Sequence, residues 1–310
     1  MAPMSLSELT RNRARTGGRR PSATPTLPVA ALWTGAVVCA VAVFAVYAFF
    51  VRTVLGQQLD EAALTSAQRL HTADAPAAVW LQTLPWFLIT GVLIALAVLI
   101  AAVRRRWAVL IAIVVTVAGA VLSTQLLKYA VFERPDLGLD TLTLNSLPSG
   151  HTTAAGAAAA ALLLAVPREW RPVFGVAGAA FTALVAGSTL VSYWHRPADV
   201  VSAVAVVGAW TLAATALTDP RTARRRRRGG AGSAVRERAV AHQARIAGLV
   251  LLGVATVALC VSGLLYTGVI PDAIAGTGGN LWAGLLFETA AASAVFAGLT
   301  LALGRRSVLE

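Results

Sequence analysis

Apolar residues fall into long unbroken blocks separated by short polar stretches, with no period-two alternation of the kind a β-barrel needs. A block of about 20 residues is enough for one helix to cross a bilayer. The blocks predict eight spans: Pro28–Val51, Pro85–Val103, Trp107–Leu127, His151–Val166, Val173–Trp194, Pro197–Leu217, Ile246–Thr267 and Leu281–Leu303. All are rich in Ala, Val, Leu and Gly, as transmembrane helices often are. The first block, 24 residues behind a 27-residue polar tail, is too long for the apolar region of a cleaved signal. The expected fold is all-α, a polytopic membrane helix bundle.

Composition agrees. The chain is 57% hydrophobic and 13% charged, whereas a soluble domain carries about 25% charged residues. The same figures exclude disorder and collagen. Two cysteines exclude a disulfide scaffold, and Cys39 and Cys260 read as small packing residues within spans.

The net charge of +12 is informative only by position. Arg11, Arg13, Arg15, Arg19 and Arg20 lie in the tail, Arg104 to Arg106 after the second span, and Arg168 and Arg171 after the fourth. Arg221, Arg224 to Arg228, Arg236, Arg238 and Arg245 follow the sixth, and Arg305 and Arg306 the eighth. This puts 21 of the 26 basic residues on one side, which the positive-inside rule makes cytoplasmic, with both termini on the cytoplasmic side of the cell membrane. The arginine run and the Gly-Gly-Ala-Gly-Ser after it read as a flexible linker drawn to anionic headgroups. Nucleic acid is not expected as a partner, because so low a charged fraction leaves no continuous basic face. The chain then divides into a basic tail (1–27), a six-span core (28–217), a basic linker (218–245) and a two-span extension (246–310).

Five basic residues remain outside: Arg52, Arg69, Lys128, Arg134 and Arg196. Arg52 ends the first span. Arg69 belongs to the 52–84 loop, where Gln57, Asp60 and Glu61 suggest a polar surface helix. The others stand in two short outer loops. One contains Lys128, Arg134-Pro135 and Pro148-Ser149-Gly150-His151, the other Trp194-His195-Arg196-Pro197-Ala198-Asp199. The only lysine of the chain thus converges with two of its four histidines. Ser149 and Gly150 open a helix whose free N–H groups and positive dipole end suit an anion. Gly150 permits close backbone approach, and Ser149 can cap the helix. Lys128 and Arg134 are donors suited to phosphate oxygens. His195 and Asp199, four apart at a helix start, share one face, so the carboxylate can orient the imidazole. Two histidines with one paired carboxylate suggest nucleophilic catalysis, one ring attacking while the other protonates the leaving group. His71 and His242 read as interfacial. Glu288, inside the last span, reads as a near-interface residue with a water or hydroxyl partner, although an ionisable group there is a functional candidate by default.

These outer residues resemble the type 2 phosphatidic acid phosphatase (PAP2) superfamily of integral membrane lipid phosphatases. Its pattern is Lys-x6-Arg-Pro, then Pro-Ser-Gly-His, then Ser-Arg-x5-His-x3-Asp. The second motif is complete at Pro148, Ser149, Gly150 and His151, and Ser188, His195 and Asp199 match the third in register. The resemblance covers roughly residues 28–217 and implies a six-helix PAP2-like core followed by two extra helices. It implies that His195 is a nucleophile forming a phosphohistidine, that Asp199 orients it, and that His151 is the general acid. Lys128, Arg134, Ser149 and Gly150 would hold the phosphate, with no metal or other cofactor. The outer loops likewise lack a Cys/His/carboxylate cluster of metal-ligand spacing.

The chain departs from the pattern twice. Five residues separate Lys128 from Arg134 instead of six, a difference that a frayed helix end would absorb. Thr189 stands where the third motif has a phosphate-contacting arginine, and Arg196 reads either as a cation that partly replaces its charge or as an interface anchor before Pro197. The expected substrate is a lipid phosphate or prenyl pyrophosphate in the outer leaflet. A lipid phosphotransferase and a non-catalytic lipid-binding or scaffold protein with a degenerate site are the alternatives.

Overall fold

With no water in a bilayer to satisfy backbone groups, each apolar block has to close its hydrogen bonds internally, and each does so as a helix. The computed structural model describes residues 28–72, 83–139, 144–218, 231–270 and 278–304. The basic tail, Arg221, Arg224 to Arg228, Arg305 and Arg306 lie outside these residues. Helix α1 (Val29–Val46) runs on through a π turn, Tyr47–Val51. It is followed by α2 (Val54–Thr72), α3 (Trp86–Val103) and α4 (Trp107–Leu126), which ends in a second π turn, Leu127–Val131. Next come α5 (Gly150–Ala165), α6 (Arg171–Val191) and α7 (Pro197–Leu217). Helices α8 (Ala231–Tyr266) and α9 (Gly279–Gly304) complete the bundle. The described residues contain no strand.

Seven of these helices, all but α2 and α5, are long and apolar enough to cross a membrane. The remaining predicted span, His151–Val166, forms the 16-residue α5, about 24 Å long against a hydrocarbon core of roughly 30 Å. Helix α5 has almost no outer face. Helices α3, α4, α6 and α7 pack around it, and 13 of its 16 residues are buried. Its run of alanines lets those neighbours approach closely. The Trp210 ring of α7 lies where a side chain at Gly119 of α4 would be, and its Nε1 donates to Ser123 Oγ at 2.9 Å.

The C-terminal pair is part of the same bundle. Helix α9 packs on α8, α6, α7 and α2, with Phe296 fully buried. Helix α8 begins at Ala231, so residues 231–245, read from the sequence as part of a flexible linker, are helical. Cys260 is exposed on the outer face of α8 rather than packed inside, and Cys39 is half-buried. Glu288 is buried, and neither carboxyl oxygen meets a hydrogen-bond donor among the described residues.

Arginines close the helices at one end of the bundle. Arg106 Nη1 donates to the Ala165 carbonyl at 3.1 Å, at the end of α5. Arg171 Nη1 reaches Leu303 O at 2.8 Å and Arg168 Nη2 reaches Gly304 O at 3.4 Å, at the end of α9. The final carbonyls of a helix have no partner within it, and a cation there also meets the negative end of the dipole. The loops that precede α5 and α7 lie at the opposite end.

Candidate active site

The N-termini of α5 and α7 are joined through their first residues. The Ser149 N–H donates to the Asp199 carbonyl at 2.8 Å, while Ser149 Oγ caps α5 by accepting the Thr152 N–H at 3.3 Å. Thr153 Oγ1 donates back to Ser149 O at 2.7 Å and lies 2.9 Å from Thr124 Oγ1 of α4. No heavy atom lies within 4 Å of the place a side chain would take at Gly150. The start of α5 therefore has open space beside it.

The end of α6 sets the position of His195. Tyr193 takes a left-handed conformation (φ 60°), its N–H bonds Leu190 O, and the Trp194 N–H bonds Thr189 O, both at 2.9 Å. This is a Schellman closure, with a tyrosine where glycine is usual. The His195 N–H also reaches Thr189 O, at 3.3 Å. Position 189 thus serves the loop through its backbone, while its buried hydroxyl donates to Ala186 O at 2.8 Å.

One turn into α7, Asp199 Oδ2 lies 3.1 Å from His195 Nδ1. The same oxygen accepts the Arg196 N–H at 3.0 Å and the Ser146 hydroxyl at 2.6 Å. The His151 ring stands 6.2 Å from the His195 ring, centroid to centroid, between Phe87 at 4.4 Å and Trp194 at 5.2 Å. A cleft of about 190 Å³ opens there between Leu84–Leu88, Trp194 and His151.

These distances join residues far apart in sequence around two imidazoles set edge to face, one of them held by a carboxylate. Residues 107–223 match the model of the PAP2 superfamily. No curated protein and no solved structure matches the chain. The PAP2 match runs from the start of α4 past the end of α7 and contains all three motifs. It suggests phosphatase-type chemistry for this segment.

The cations around the PAP2 motifs differ in their surroundings. Lys128 is half-buried within electrostatic range of His151, its Nζ 5.9 Å from the Tyr129 ring centre. The helix end carrying it does not fray. It widens into a π turn, closed by the Phe132 N–H on Leu127 O at 2.8 Å, and Asn145 Nδ2 binds the Lys128 carbonyl at 3.0 Å. Arg134 is buried, and its Nε and Nη2 meet no acceptor among the described residues. Burial first, and the charge of Arg196 second, push its pKa down from the usual value. Arg196 is spoken for: its Nε bonds Glu61 Oε2 at 2.9 Å and its Nη1 bonds Ser146 Oγ at 3.3 Å.

Sequence reading missed the part played by α2. Gln57 and Asp60 are buried rather than displayed on a surface helix. Gln57 Nε2 holds the Val51 and Pro135 carbonyls, and Asp60 Oδ1 accepts the Ala198 N–H at 2.9 Å in the first turn of α7. Burial, and then the charge of Asp199, push the Asp60 carboxyl up to about 8. The Ala198 amide, Arg196 and Arg134 act against that rise. The one local hint was that Asp60, Ala63, Leu64 and Ala67 share a helical face.

Proposed function

We propose that the protein is a membrane phosphatase that cleaves a lipid phosphate or prenyl pyrophosphate at the outer leaflet through a phosphohistidine at His195. The observation that carries this reading is the His195 Nδ1–Asp199 Oδ2 contact beside the His151 ring, 6.2 Å away. An ionised carboxylate at Nδ1 keeps the proton there and leaves the Nε2 lone pair for phosphorus. Nε2 attacks, the phosphorus–oxygen ester bond breaks, and His151 protonates the departing oxygen. Water then attacks the phosphohistidine, His151 takes its proton, and the phosphorus–nitrogen bond breaks. Lys128, Arg134, Ser149 and Gly150 hold the phosphoryl oxygens. The lipid part of the reading is supported by the apolar cleft at His151, and the outward orientation by the arginine count.

The test is phosphate release by purified protein from a panel of lipid phosphates in the presence of a chelator. His195→Ala abolishes release, and acid-labile, base-stable phosphate is trapped on the wild type alone. Absence of both release and trapped phosphate across the panel rejects the reading. One observation favours a non-catalytic lipid-binding protein instead: Thr189 offers a phosphate no charge, and its hydroxyl is bonded within its own helix. Tight binding of a lipid phosphate to the wild type without any release would support that second reading.

A further inference from the structure

Glu61 and Ser146 belong to neither histidine motif, yet they form one hydrogen-bonded line with the residues that do. Direction along it follows from donor inventory. A guanidinium only donates, so Ser146 Oγ is the acceptor of Arg196 Nη1 at 3.3 Å. Its single proton is then left for Asp199 Oδ2, at 2.6 Å. The Nη1 position is set in turn by Glu61 Oε2, which holds Nε of the same rigid fork at 2.9 Å. Three donors converge on Asp199 Oδ2: Ser146 Oγ, the Arg196 N–H and His195 Nδ1. Each shares the negative charge of that oxygen, so the strength of one bond depends on the others.

We infer that Glu61 and Ser146 are positioning residues: Glu61 aims Arg196, Arg196 fixes Ser146 as a donor, and Ser146 sets how strongly Asp199 holds the His195 imidazole. The relay brings α2, which lies outside the PAP2 match, into control of the histidine. It rests on the phosphatase reading only for its effect on turnover; the hydrogen-bond line exists without it. Arg196 thereby acts on the loop carrying His195 rather than on phosphate.

The test reads the Nδ1 proton of His195 by NMR in full-length protein labelled with ¹⁵N-histidine in detergent, assigned by its loss in His195→Gln. Ser146→Ala moves the resonance downfield, because the imidazole then shares Oδ2 with the Arg196 amide alone, and Ser146→Thr leaves it near the wild-type position. Glu61→Ala gives a smaller shift in the same direction, and none in the Ser146→Ala background. If Glu61→Ala fails to fold, Glu61→Gln takes its place, since the amide oxygen still accepts from Nε but without charge. An unmoved resonance in Ser146→Ala overturns the proposal. So does an undiminished effect of the Glu61 substitution when Ser146 is already alanine, since independent residues give additive effects. With a substrate that turns over, Ser146→Ala changes kcat by roughly tenfold while KM holds. Shifts without turnover count against the phosphatase alone, and turnover without shifts counts against the relay alone.

Discussion

Arg196 and Glu61, 135 residues apart in sequence, meet at 2.9 Å in a nearly closed ion pair. The arginine that the sequence offered as a replacement for the one absent at Thr189 is therefore tied to α2. Arg196→Ala leaves Glu61 without its partner. Removing one partner of a buried pair costs about 3–5 kcal/mol, an upper bound here because the Glu61 side chain keeps 16% of its exposure. Activity falls with stability, and adding Thr189→Arg does not restore it, since what is lost is the hold on Glu61 and Ser146 and not a charge on the phosphate. Recovery of the rate in the double variant would return Arg196 to the phosphate.

His151 tests the acid–base assignment. His151→Ala costs roughly 10²–10⁴-fold for esters with poor leaving groups, and much less for aryl phosphates, whose departing oxygen needs no proton. Rates measured on the two classes decide it: equal losses remove His151 from the role of general acid.

Asp60 makes stability depend on pH. Its carboxyl is raised to about 8 in the fold, against about 4 in an unfolded chain, so the folded state binds the extra proton. Its contribution is full below about pH 4 and is lost as pH rises toward and through 8. Thermal unfolding of the purified protein between pH 5 and 9 should show a midpoint that declines with pH, with a shallower decline in Asp60→Asn. Identical slopes would show that another group carries the dependence.

Gly284 tests whether α9 supports the site. A side chain there would come within 3.0 Å of Ala63 on α2, Leu190 on α6 and Pro197 at the start of α7. Gly284→Val therefore costs about 1–3 kcal/mol by overpacking, and it lowers turnover although residue 284 lies outside the PAP2 match. The checks are the unfolding midpoint and kcat. A variant that loses stability but keeps full kcat would show that the α9 contact is only packing.

Orientation has a direct assay. A reporter fused after Arg228 is expected on the cytoplasmic side and one inserted near Leu139 on the outside. The reverse pattern would remove the outer-leaflet substrate.

The spans were legible because a bilayer imposes a long apolar run on whatever crosses it, and most helix ends fall within a few residues of the apolar boundaries. Helix α5 was legible as an apolar block but not as the helix that the others surround, because composition cannot tell a lipid-facing helix from one enclosed by protein. The His195–Asp199 pair and the Ser149 cap were legible because their geometry is local, set by spacings of three and four residues. Asp60, Glu61 and Ser146 were not. Their partners lie 138, 135 and 53 residues away, and nothing in the pattern of α2 shows what its polar face meets.

The arginines at the far end of the bundle join two jobs that are usually considered separately. A charge count treats Arg106, Arg168 and Arg171 as votes on which way the chain is threaded through the membrane, and lysine would vote the same way. In the assembled bundle each is also a stopper, its guanidinium seated on the last carbonyls of α5 or α9. Rewriting these loops to turn the protein over would therefore unplug two helices as well, one of them the helix that carries His151.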